Sequence, residues 1–143
     1  MTRIIVIDGM GGGIGAELVG RLRQGLTGSA KIDSIEIIAL GTNASATERM
    51  LKAGAARGAT GENAIRVSAS LGDFIAGPIG IVIGNSMLGE ITPDMAKAVL
   101  EAPGERVLLP LQNEHFHIAG FNPPPLTKQI DEAVQYIVGK IND

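Results

Sequence analysis

Hydrophobic positions along the chain come in short blocks, and most blocks announce one element each. Ile4-Ile5-Val6-Ile7 is an unbroken β-branched run, the pattern of a strand buried on both faces of a parallel sheet. It stops at Asp8, and after a glycine-rich stretch Ile14, Leu18, Leu22 and Leu26 recur at helical spacing. Ile35 to Leu40 is a second β-branched strand that closes at Gly41-Thr42-Asn43, and Ala44 to Ala56 reads as a helix with Asn43 as its cap. Strand, helix, strand and helix within the first part of the chain predict a parallel sheet with crossover helices.

Further along, Ala64 to Val67 reads as a short strand and Asp73 to Ile79 as a clearer one, ending at Gly77-Pro78. Residues 80–91 carry apolar side chains without a period, so no element is assigned to them. Thr92-Pro93-Asp94 starts a helix, with Thr92 as N-cap, Pro93 in the first turn and Asp94 near the positive end of the dipole. That helix runs to about Glu101 and stops before Pro103. Arg106 to Leu111 is a strand, and Phe116 to Ala119 a further short one. After Pro123-Pro124-Pro125, an amphipathic helix carries Leu126, Ile130, Val134, Ile137 and Ile141 on one stripe. The expected fold is α/β: a single Rossmann-like domain over residues 1–143, with a mostly parallel sheet of about five strands and helices on both faces.

Composition narrows the chemistry. The 143 residues contain no cysteine and no tryptophan, which excludes disulfides, a cysteine nucleophile, thiolate metal sites and iron-sulfur clusters. A net charge of -3, without any run of three Lys or Arg, argues against a nucleic-acid partner. The most apolar stretch, Phe74 to Ile83, is too short and too broken by Gly77, Pro78 and Gly80 to span a membrane, and no leader precedes the first strand, so a soluble cytoplasmic protein is expected. Charged residues make up 19% of the chain, below the usual ~25%, which points to apolar surface covered by a second copy in a homo-oligomer. Glycine numbers 20, about twice its ordinary share of ~7%. These glycines cluster where strands end and not in a linker.

The densest cluster is Asp8-Gly9-Met10-Gly11-Gly12-Gly13-Ile14-Gly15. A strand feeding such a turn and then a helix presents backbone N–H groups and a helix dipole to an anion, so the expected ligand is a small-molecule nucleotide held by its phosphate. Two dinucleotide spacings fit: Gly11, Gly13 and Ala16 in one register, and Gly9, Gly13, Ile14 and Gly15 in the other. NAD sites usually place an acid at the end of the second strand to accept ribose hydroxyls. Here that strand ends in Gly41-Thr42-Asn43, with Arg49 following, so NADP is expected to fit more easily than NAD. Asp8 beside a phosphate needs either loop N–H groups or a cation to satisfy it, and the first is the simpler arrangement.

Taken with Ala39-Leu40-Gly41-Thr42-Asn43, Gly58-Ala59-Thr60-Gly61-Glu62-Asn63-Ala64, Gly77-Pro78-Ile79-Gly80-Ile81 and Asn85-Ser86-Met87-Leu88-Gly89-Glu90-Ile91-Thr92-Pro93, this loop makes the chain resemble a family of short bacterial proteins catalogued as a domain of unknown function. The resemblance spans nearly the whole chain. It implies a single domain with a Rossmann-like start and brings no activity. Gln112 to His117 departs from the shorter polar turn the resemblance leads one to expect.

Glu62 and Glu90 are the candidate acid or base, with Asn63, Asn85 and Ser86 as groups that orient a ligand, because all lie in loops expected at the same sheet edge. The alternative is that the glutamates cap helices and the amides satisfy turns. His115 and His117 share a strand face but lack a third ligand, so no metal is expected. Tyr136 and Lys140 reproduce a Y-x-x-x-K spacing without the serine such dehydrogenases need upstream. Two functional classes remain: a nucleotide-binding protein, and a non-catalytic sensing or scaffold protein whose glycine turn is structural.

Overall fold

The computed structural model describes residues 1–111 and 117–143. Its elements alternate along the chain as β1 (Thr2–Asp8), α1 (Gly13–Leu26), β2 (Ile35–Gly41), α2 (Ala44–Ala53), β3 (Arg57–Thr60), α3 (Glu62–Ser68), β4 (Phe74–Pro78), α4 (Pro93–Glu101), β5 (Glu105–Leu109) and α5 (Leu126–Asn142), with short 3-10 turns at Ile32–Ser34, Ala69–Leu71 and Ile79–Val82. The strands form one sheet in the order β3-β2-β1-β4-β5, and every neighbouring pair is parallel. The expected α/β Rossmann-like domain is the observed one.

Strict alternation along β1 and β2 divides the core in two. Ile4, Val6, Ile37 and Ala39 face α1, α2 and α5, where Leu18, Leu22, Met50, Ile130 and Ile137 cover them. Ile5, Ile7, Ile38 and Leu40 face α3 and α4, covered by Ile65, Met95 and Val99. Burial on both faces is why these strands read as continuous apolar runs. Leu22 is fully buried, and truncating such a side chain to alanine removes about 2–5 kcal/mol. Because helices change face after β3, the connections from β1 and β4 leave the sheet in opposite directions. Their carboxyl ends therefore open a crevice, the usual ligand position in this architecture.

Three expectations need correction or limits. Ala64 to Val67 is not a strand but lies within α3. Gly61, at φ 99°, turns the chain there, and Ile65 and Ala69, one helical turn apart, are buried while Val67 is 61% exposed. The third strand lies earlier, at Arg57–Thr60, an edge strand made largely of exposed residues that needs no apolar run. Phe116 lies outside the described residues, and the rest of the strand expected there is absent, since residues 117–119 lead into a turn in which Gly120 has φ 78°. The unassigned segment 80–91 continues from the 3-10 turn as successive turns, with positive φ at Asn85, Met87, Leu88 and Gly89. Backbone of that kind has no apolar period. Among the described residues, no helix is long and apolar enough to cross a membrane.

Candidate functional site

β1 delivers Asp8 to the carboxyl edge of the sheet, opposite Gly41 of β2 in the ladder. The Asp8 carboxylate is 4% exposed and accepts hydrogen bonds from Gly9 N at 2.8 Å and Gly15 N at 2.7 Å, so it ties the two ends of the glycine loop together. Burial pushes its pKa above the ordinary value; the Gly15 and Gly9 N–H groups oppose the shift, and the nearby charge of Glu90 adds to it. Inside the loop, Gly12 N donates to Gly9 O at 2.9 Å. Gly12 then caps α1 in the left-handed region at φ 75°, and no side chain among the described residues caps that helix.

The glycines of the loop divide by what surrounds them. A Cβ on Gly12 would come within 2.7 Å of the Ala46 backbone, and one on Gly15 within 2.5 Å of Met50 Sδ. One on Gly9 would meet Thr42 Oγ1 at 2.6 Å and Glu90 Oε1 at 2.9 Å. Those three glycines serve close packing within the protein. Gly11 and Gly13 differ: among the described residues a Cβ would meet only the Arg49 guanidinium, at 3.9 and 3.4 Å, and neither glycine has positive φ. Alanine fits at both, so the bareness of the loop there is required neither by packing nor by the backbone. Arg49, from α2, lies along this open side, with Nη1 3.4 Å from Gly11 O.

Glu90 closes the opposite side of the loop. Its Oε1 accepts from Met10 N at 2.9 Å and from Asn43 Nδ2 at 3.0 Å, and also from the Thr42 hydroxyl. The Thr42 hydroxyl, then the Met10 N–H, hold the Glu90 pKa below the ordinary carboxylate value; burial works against them and Asn43 supports them. Asn43 does three things at once: its Oδ1 caps α2 through Ala46 N at 2.9 Å, and its Nδ2 reaches both Glu90 and Met10 O. Gly41 packs its backbone against Thr47 and accepts Gly61 N at 2.9 Å. Hydrogen bonds thus link Asp8, the Gly9 to Gly15 loop, Thr42, Asn43 and Glu90 to one another at the carboxyl edge of the sheet.

The remaining candidates are placed differently. Exposed Glu62 begins α3 and accepts the Thr92 hydroxyl at 2.6 Å, while the same hydroxyl accepts Met95 N at 3.1 Å to cap α4. Glu62 is therefore joined to the Glu90 segment through Thr92. Asn63 is exposed on α3, without a hydrogen bond from its side chain to any described residue. Asn85 and Ser86 close the turn that carries Glu90, through Asn85 N to Ile91 O at 2.6 Å and Ser86 Oγ to Gly80 O at 2.5 Å. Tyr136 donates to Glu105, the first residue of β5, and so lies at the amino edge of the sheet, away from the loop. His115 lies outside the described residues, and among the described residues no group of three His, Asp or Glu is placed to hold a metal.

An apolar cleft of about 470 Å3, not foreseen from the sequence, flanks the loop on its β5 side between Ile14, Leu111, Pro123 to Pro125 and Gln129. Buried Gln129 builds its wall by accepting Leu111 N at 3.0 Å and donating to Pro124 O at 2.8 Å. Nothing in the linear pattern joins Ile14 to the proline run.

A family model described as Domain of unknown function (DUF3842) matches residues 3–142. No curated protein and no solved structure matches the chain.

Proposed function

The chain belongs to the DUF3842 family, whose description names no activity, so its function has to be read from the crevice, and we propose that it binds a nucleotide or dinucleotide through phosphate at the loop Gly9 to Gly15. The observation that carries this reading is the bareness of Gly11 and Gly13, which neither packing against described residues nor backbone conformation requires. A phosphate approaching that surface meets the start of α1, whose dipole favours an anion, and the Arg49 guanidinium beside it. The apolar cleft at Ile14 and Leu111 offers a ring-sized neighbour on the β5 side. A lowered pKa suits Glu90 to binding more than to proton transfer, and leaves Glu62 as the candidate acid or base.

A second reading draws on Asp8 and Glu90 themselves. Their carboxylates already occupy the N–H groups of Gly9, Met10 and Gly15, which favours a sensing or scaffold protein with a closed, structural turn. Thermal unfolding in the presence of NAD, NADP, ATP, GTP and S-adenosylmethionine separates the two. A ligand that binds the folded state raises the melting temperature by mass action. Nucleotide binding predicts a rise with at least one of the five; no rise with any at saturating concentration would leave the structural turn standing.

A further inference from the structure

We infer that Glu90 makes this crevice select a ribose whose vicinal hydroxyls are free and reject one bearing a 2'-phosphate, an inference that rests on the nucleotide reading above. In doubly wound folds the ribose hydroxyls are accepted by an acid at the carboxyl end of β2, and β2 here ends in Gly41-Thr42-Asn43, which has none. The tertiary structure supplies one from elsewhere. Glu90, from the segment between β4 and α4, is fixed to Thr42 and Asn43 at that strand end and to Met10 N in the glycine loop. Gly9 admits it, because any Cβ there would approach Glu90 Oε1 to 2.9 Å.

The division of labour within the carboxylate follows from its contacts. Oε1 takes the three protein donors, and Oε2 receives none from the described residues, which leaves its lone pairs free of them as acceptors. An ionised carboxylate accepts from hydroxyls and repels a phosphate. The two groups that suggested a 2'-phosphate site are engaged already: the Thr42 hydroxyl donates to Glu90, and Asn43 Nδ2 is shared between Glu90 and Met10 O. The cation that suggested it, Arg49, lies instead along Gly11 and Gly13. The preference expected from the sequence, NADP over NAD, is therefore reversed by this proposal.

The test is a calorimetric comparison of matched ligands on the wild-type chain, with NAD against NADP, ATP against 2'-deoxy-ATP and GTP against 2'-deoxy-GTP. A hydrogen bond to a charged group corresponds to roughly tenfold or more in affinity. For whichever pair binds, the free ribose should bind at least about tenfold more tightly than its deoxy or 2'-phosphorylated counterpart. Glu90→Gln, checked for an intact melting transition, should bring the two members of the pair to within about threefold. Equal affinity for both members in wild type, or tighter binding of NADP, overturns the proposal and leaves phosphate binding at the loop intact. Tighter binding of both members by Glu90→Gln also overturns it, because the carboxylate would then compete with the ligand. Absence of binding by every ligand overturns it together with the nucleotide reading.

Discussion

The Glu90 carboxylate accepts the Thr42 hydroxyl across a separation of 48 residues, joining the end of β2 to the segment between β4 and α4. This bond, with those from Met10 N and Asn43 Nδ2, stabilises the ionised form and sets the sign of its pH dependence. The folded pKa lies below the ordinary value of 4.5, so the contribution is present above that value and is lost as pH falls through the lowered one. Glu90→Gln should cost about 1 kcal/mol at neutral pH and flatten this acid limb, as measured by urea unfolding at a series of pH values.

Asp8 slopes the other way. Its folded pKa is raised above 3.8, so the folded state holds its proton more tightly and stability declines as pH rises from the ordinary value through the raised one. Asp8→Asn removes that decline. It also turns an amide NH2 toward either Gly9 N or Gly15 N, which both donate to the present carboxylate. Unfolding of Asp8→Asn should show a loss of about 1–3 kcal/mol at neutral pH, together with a flatter profile as pH rises from the ordinary Asp value through the raised one.

The loop glycines should split under substitution. Gly12→Ala meets the Ala46 backbone at 2.7 Å in a left-handed conformation, and a loss of at least about 1–2 kcal/mol is expected. Gly11→Ala and Gly13→Ala meet only the flexible Arg49 side chain among the described residues, and should leave stability unchanged or raise it by about 0.4–1 kcal/mol. Both should nevertheless weaken nucleotide binding. Denaturant midpoints and binding isotherms on the same four proteins, wild type included, check the two effects separately.

Tyr136 and Lys140 offer a control. The hydroxyl donates to Glu105 at the amino edge of the sheet, and that carboxylate raises the phenol's pKa, the opposite of what an acid catalyst near neutrality needs. Tyr136→Phe should bind nucleotide as wild type does.

Much of this arrangement was legible in the sequence. Ile4 to Ile7 and Ile35 to Leu40 are buried on both faces and announce themselves; Thr92 and Asn43 cap their helices as their side chains suggest. β3 was hidden because an exposed edge strand needs no apolar signature, and α3 because Ile65 and Val67 mimic strand alternation over too few residues to show a helical period. Asp8 as organiser of the loop followed from local chemistry alone. The contact of Glu90 with Thr42 depends on the strand order 3-2-1-4-5, which brings distant segments to one edge, and no local pattern records that.

Phosphate binding at Gly9 to Gly15 is the claim on which the functional account turns. Its most direct measurement is a calorimetric titration of NAD, NADP, ATP and GTP into the wild-type chain and into Gly13→Asp, which sets a carboxylate beside Arg49 on the open face of the loop. Saturable binding of at least one nucleotide by wild type, lost in a Gly13→Asp protein that still unfolds cooperatively, is the predicted result. Binding by neither protein, or equal binding by both, would contradict it.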